Sequence, residues 1–193
     1  MSAQSASDLI KLAYRYYPRR PDYEREARIE APEWNAFSAL WDQKMLEHGK
    51  WFDFRKRLQA DLPGCGVGDW TVPRGTASFR SIIYRKQPRP KNGVFMIVVG
   101  CASILAPYYF AYRTERHYTN GETSQITYSF NLGGDAALPA KMFAKHMEST
   151  YRFSPFPSEW IEIIVPDIAL SDEVQVGQVT LRDAFFTHGW YKY

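Results

Sequence analysis

Only two cysteines, Cys65 and Cys101, occur in 193 residues, too few for the disulfide framework of a small secreted scaffold. The opening Met1-Ser-Ala-Gln-Ser-Ala-Ser-Asp8 lacks the basic and apolar regions of a signal peptide, so a reducing, cytoplasmic setting is expected. Charge of one sign is also missing. Lysine and arginine total 24 against 21 acids, and the formal charge of +3 is too small by itself to imply a polyanionic partner. No repeat and no low-complexity tract interrupts the chain. Apolar residues make up 45% of it and aromatics a high 16%, which argues against disorder and for one buried core, a single domain over residues 1–193.

Motifs that carry chemistry are equally scarce. The four histidines, His48, His117, His146 and His188, form no His-x-x-x-His pair and have no nearby Cys-x-x-Cys, so neither a metal nor another cofactor is expected. Gly64, Gly66 and Gly68 precede no Lys-Ser/Thr helix, and Leu132-Gly-Gly-Asp135 is not a dinucleotide fingerprint, so both read as loops. Cys101 lies in Gly100-Cys-Ala-Ser103, which lacks the second glycine of a nucleophile elbow, and reads as a buried structural cysteine.

What is present is an α+β pattern. Ser7 is a candidate N-cap for a helix over Asp8–Tyr17, on which Leu9, Ile10, Ala13 and Tyr16 share a face until Pro18 and Pro21 stop it. A short helix follows over Tyr23–Glu30. Pro32 opens a third, with Trp34, Phe37, Trp41 and Met45 as its buried stripe and His48-Gly49 as its end signal. Trp51, Phe54, Leu58 and Leu62 mark a fourth helix, closed by Pro63-Gly64.

Strands are expected at Trp70–Val72, Ser78–Lys86, Val94–Cys101, Tyr108–Tyr118 and Ser124–Phe130, in an antiparallel meander, with another at Trp160–Val165. A helix begins near Pro139, and Thr180-Leu-Arg-Asp183 has the form of a capping box. The expected fold is thus N-terminal helices followed by a mainly antiparallel sheet of about five or six strands with one or two covering helices. Val94–Tyr112 carries no charge over nineteen residues, long enough to span a bilayer. Gly100 and Pro107 interrupt it, however, and Asn92-Gly93 and Asn120-Gly121 flank it with turn signals. Two buried strands, and no membrane, are the expectation.

Charge is distributed unevenly. Thr71–Lys91 holds Arg74, Arg80, Arg85, Lys86, Arg89 and Lys91 and no acid, whereas Ser158–Asp183 holds six acids against Arg182 alone. The basic stretch, with Phe79 and Tyr84, fits a nucleic-acid face in principle. Strand alternation separates Arg80, Ile82 and Tyr84 from Phe79, Ile83 and Arg85, however, so nucleic acid is not the expected partner. Tyr14-Arg-Tyr-Tyr-Pro-Arg-Arg-Pro-Asp-Tyr23 concentrates the two residue types that anchor protein interfaces. Tyr14, Tyr16, Tyr17, Arg19, Arg20 and Tyr23 are therefore candidate partner contacts, and Asn120 and Glu122 at the Thr119–Glu122 hairpin tip are the second candidates.

Taken together, the Tyr-Arg-Tyr-Tyr-Pro start, the Gly68-Asp-Trp-Thr71 link and the ending from Val165-Pro-Asp-Ile168 through Thr180-Leu-Arg-Asp-Ala-Phe-Phe186 to Trp190 resemble small bacterial proteins of the immunity-protein type. These are cytosolic antidotes to toxins delivered between bacteria. The resemblance implies a non-catalytic inhibitor whose partner is a cognate protein toxin. It supplies no catalytic residue. The competing reading is a hydrolase or transferase with a site assembled from scattered residues such as Cys101, His117 and Asp135.

Overall fold

The charge-free run is the centre of a sheet. The computed structural model describes residues 5–19, 29–171 and 174–187. In it the run divides into most of β3 (Gly93–Ser103) and the beginning of β4 (Tyr108–Thr119). With β1 (Cys65–Asp69), β2 (Ser78–Arg85) and β5 (Glu122–Ser129) these strands form an antiparallel meander in the order β1-β2-β3-β4-β5, and a short β6 (Ser154–Pro155) pairs parallel to the start of β4. No described helix is long and apolar enough to cross a membrane.

β3 has no polar face because helices cover the sheet on both sides. Phe95, Ile97, Val99 and Cys101 point into a cluster with Leu9, Ala13, Phe37 and Trp41, from α1 (Ala6–Ala13) and α2 (Pro32–Met45). Val98 and Ala102 point the other way, into Trp51, Phe54, Leu58 and Phe143 from α3 (His48–Asp61) and α4 (Ala137–His146). Each fully buried valine or isoleucine contributes about 1.5–3 kcal/mol, which makes β3 the most strongly held strand. Gly100 is required where α4 approaches most closely, because a Cβ there would collide with the Phe143 ring. The β4–β5 hairpin turns at Asn120-Gly121, both with positive φ (53° and 87°), as the Asn-Gly signal predicts.

Several boundaries differ from the sequence reading. Ser5, not Ser7, caps α1, its side chain accepting from the Asp8 amide while Asp8 accepts from the Ser5 amide, and the helix ends at Ala13 rather than Tyr17. Of the expected Tyr23–Glu30 helix, residues 23–28 lie outside the described residues. Met45, at the end of the α2 stripe, is exposed, and His48-Gly49 opens α3 instead of closing α2. The first strand lies in the glycine stretch Cys65–Asp69 and not at Trp70–Val72. Gln59 of α3 explains the shift: it donates to the Cys65 carbonyl and accepts from the Val67 amide at 2.9 Å, clipping this edge strand to the helix. Trp160–Val165 is no strand. Ser158–Trp160 is a short 3-10 turn, and Ile164 makes one isolated bridge to Thr180.

After α4 the chain first stays with the Trp51–Phe54 layer through Met147, and from Phe156 onward it straps across the layer of α1 and α2. Met147–Tyr151 forms a π-turn, and a second π-turn, Asp183–Thr187, is held over β2 by Ser78 Oγ donating to the Phe186 carbonyl at 2.8 Å. The expected capping box opens it. The Asp183 amide donates to Thr180 Oγ1 and the Thr180 amide to Asp183 Oδ2, both at 3.1 Å and both buried.

Candidate functional site

The end of α1 meets the strap, and there the Tyr/Arg segment divides into an inner and an outer set. Tyr17 is fully buried, and its hydroxyl donates 2.7 Å to the Ala184 carbonyl of the second π-turn. Tyr16 packs edge-on against Phe37 of α2, with ring centroids 6.5 Å apart. These two therefore hold α1 in place, which corrects the expectation that Tyr17 is a surface contact: no partner can reach a ring with 0% exposure.

Tyr14 and Arg19 form the outer set. The Tyr14 hydroxyl donates to the Pro166 carbonyl at 3.0 Å, and the Arg19 guanidinium lies 4.7 Å over the Tyr14 ring while donating to Asp167 Oδ2 at 2.8 Å. Asp167 sits in the left-handed region, φ 65°, in the loop after Val165, a conformation that Asp adopts more readily than most residues. Partial burial first, and then the Asp167 charge, push the Tyr14 phenol above its ordinary range. Both members of the ion pair remain largely open, with side-chain exposures of 61% for Arg19 and 51% for Asp167. The result is a planar cation held in one orientation on the surface by a ring below it and a carboxylate beside it. Arg20 and Tyr23 lie outside the described residues.

Asn120 and Glu122 are exposed at the β4–β5 tip, where the Asn120 amide donates to Asn92 Oδ1 at 2.9 Å. This is the end of the sheet where Gly93 faces Tyr118. The strap that binds Tyr17 lies at the other end, where Ser78 faces Ser103. The two candidate surfaces are therefore separate.

Nor does the fold unite the scattered catalytic candidates. Cys101 is fully buried, and desolvation, outweighing the neighbouring Arg80 charge, pushes its thiol up to about 11. It pairs with Phe110 while His117 pairs with Val94, a separation along β4 of about 23 Å at the usual strand rise. Asp135 lies before α4 on the opposite layer and accepts from Arg85 at 2.8 Å. His117 lies 3.5 Å from Thr127 Oγ1, and its neighbour Glu115 pairs with Arg113. The other two described histidines each meet a carboxylate, His48 with Asp69 and His146 with Asp61, but no group of three His, Cys, Asp or Glu among the described residues is placed to hold a metal.

The basic stretch is broken up as strand alternation requires. Arg74 pairs with Asp42 and Arg85 with Asp135, on opposite sides of the sheet, while Arg80 is buried and donates to the Tyr112 hydroxyl at 2.8 Å.

Asp167 is the residue that reading along the chain misses at the first surface. Its signal was a Pro-Asp pair in an acidic segment, with nothing to link it to an arginine 148 positions earlier. No family model, curated protein or solved structure matches the chain, so the functional reading rests on these residues.

Proposed function

We propose that the protein is an immunity protein that binds and neutralises a cognate bacterial toxin by tight protein–protein contact, without chemistry of its own. The observation that carries this reading is the preorganised outer set of Tyr14, Arg19 and Asp167. Interface energy concentrates in a few tyrosines and arginines, and it is largest where the side chain has little freedom left to lose on binding. Arg19, stacked on Tyr14 and oriented by Asp167, meets that condition before any partner arrives. Its remaining N–H groups suit carbonyl acceptors on a toxin surface, and the neighbouring Asp167 charge penalises surfaces that offer only anions.

The test is co-expression with the product of the adjacent gene, followed by affinity capture. Rescue of growth together with a stable complex supports the reading. Arg19→Glu then weakens the complex at least about tenfold, as expected for an interface anchor. Growth arrest that co-expression does not relieve, with no complex, refutes it.

A further inference from the structure

The two edges of the sheet are finished differently. At β1 the Gln59 side chain donates to the Cys65 carbonyl and accepts from the Val67 amide, so α3 covers the outward backbone groups. At the other edge β5 pairs with β4 alone, while the short β6 lies beside Tyr108 and Tyr109 of β4 and not beside β5. Alternate residues of an edge strand turn their N–H and C=O groups away from the sheet. Among the described residues, no hydrogen bond from outside the β4–β5 ladder reaches the backbone of Gln125, Ile126 or Thr127.

The usual devices that close an edge are missing from the same segment. Gln125–Ser129 contains no proline and no charged residue, and its register against His117–Arg113 is regular. The irregularity of this pair falls before it, where Tyr118 faces Thr123, His117 faces Gln125 and Ser124 is left over. Ile126, apolar and β-branched, is 41% exposed here.

The segment is also complementary to itself. A two-fold axis perpendicular to the sheet pairs two copies antiparallel, and centring it on Thr127 engages the whole regular stretch. Ile126 then faces Tyr128 of the second copy, Gln125 faces Ser129, and Thr127 faces its own equivalent. Aromatic with β-branched and threonine with threonine are favourable cross-strand pairs, and no like charges meet. Tyr128 is already packed on Tyr112, with ring centroids 6.4 Å apart. We infer that β5 is a self-association edge, at which two copies of the chain pair β5 to β5 about Thr127 and join their sheets into one. Two short strands bury less than the roughly 1,200–2,000 Å² of a standard interface, so the dimer is a weak one. The inference is independent of the toxin reading, because none of these residues belongs to the Tyr14–Arg19–Asp167 surface.

The experiment is sedimentation velocity on the full chain over a concentration series. A reversible monomer–dimer equilibrium with a Kd of about 10–100 μM is expected, weakened at least about tenfold in Ile126→Lys, which places a charge on the edge. Ile126 is exposed, so this variant keeps its fold, and an unchanged urea midpoint checks that. Register is read by oxidation in a Cys65→Ser background. Thr127→Cys brings two thiols directly opposite, with Cβ atoms about 4.5–5.5 Å apart, and forms a disulfide-linked dimer. Gln125→Cys leaves its two thiols four residues, about 13 Å, out of step and does so at least about tenfold more slowly. A monomer alone up to about 500 μM, well above the expected Kd, overturns the inference. So does a dimer that Ile126→Lys does not weaken, or a Thr127→Cys dimer that forms no faster than that of Gln125→Cys. Protection of the β5 amides only when a toxin is added assigns the edge to that toxin and equally overturns it.

Discussion

Replacing Tyr17 with Phe separates what holds the N-terminal segment from what it offers to a partner. The substitution keeps the buried ring and removes one hydroxyl, whose 2.7 Å bond to the Ala184 carbonyl docks α1 on the second π-turn. Depriving a buried carbonyl of its donor costs about 1–3 kcal/mol. With a urea m-value of about 2 kcal/mol/M for a chain of this size, the midpoint falls by roughly 0.5–1.5 M. Tyr17→Ala also empties the ring's space beside Phe37 and costs about 3–5 kcal/mol in total. Arg19→Ala, at an open ion pair, leaves the midpoint where it was, since exposed pairs contribute little to folding. Urea unfolding followed by far-UV circular dichroism on the three variants and the parent reads all of this directly. If the proposed toxin is the partner, affinity for it should show the reverse order, with Tyr17→Phe retaining it and Arg19→Ala losing it. An unchanged midpoint in Tyr17→Phe, or an equal fall in Arg19→Ala, would refute the division into inner and outer sets.

Gly100→Ala drives a methyl group into the Phe143 ring and should lower stability by about 1–3 kcal/mol, measured by the same unfolding curves. Asp183→Ala removes acceptors for the Thr180 amide and the Thr187 hydroxyl in a fully buried site. A loss of at least about 3 kcal/mol is expected from two broken buried bonds, one to backbone and one to side chain. In the native protein a thiol reagent at mildly alkaline pH should modify only the partly exposed Cys65, with Cys101 reacting after unfolding. Cys101 also makes stability depend on pH. Burial raises its thiol from 9.0 to about 11, so the unfolded chain releases the proton first, and stability present below pH 9 is lost as the pH rises through 11. In Cys101→Ala the unfolding free energy should fall less steeply across that window.

What was legible in the sequence is what depends on neighbours along the chain. The Trp34, Phe37, Trp41 stripe needs only helical spacing, the Asn120-Gly121 turn only residues that accept positive φ, and the Thr180–Asp183 box only a three-residue step. The same logic identified α+β architecture and resolved the charge-free run into strands, because Gly100, Pro107 and the flanking turns are local signals. Tertiary structure alone decided matters that join distant residues. Gln59 turned a glycine loop into the edge strand β1. The strap drew Tyr17 inward, and Tyr14 and Arg19 acquired their meaning from Pro166 and Asp167, some 150 positions away. Trp51 is legible as core from its helical spacing, but that its buried Nε1–H meets no acceptor among the described residues is visible only in the folded chain. Periodicity states which face of an element is buried. It carries no information about which polar atoms on that face find partners, because that depends on how elements cross in space.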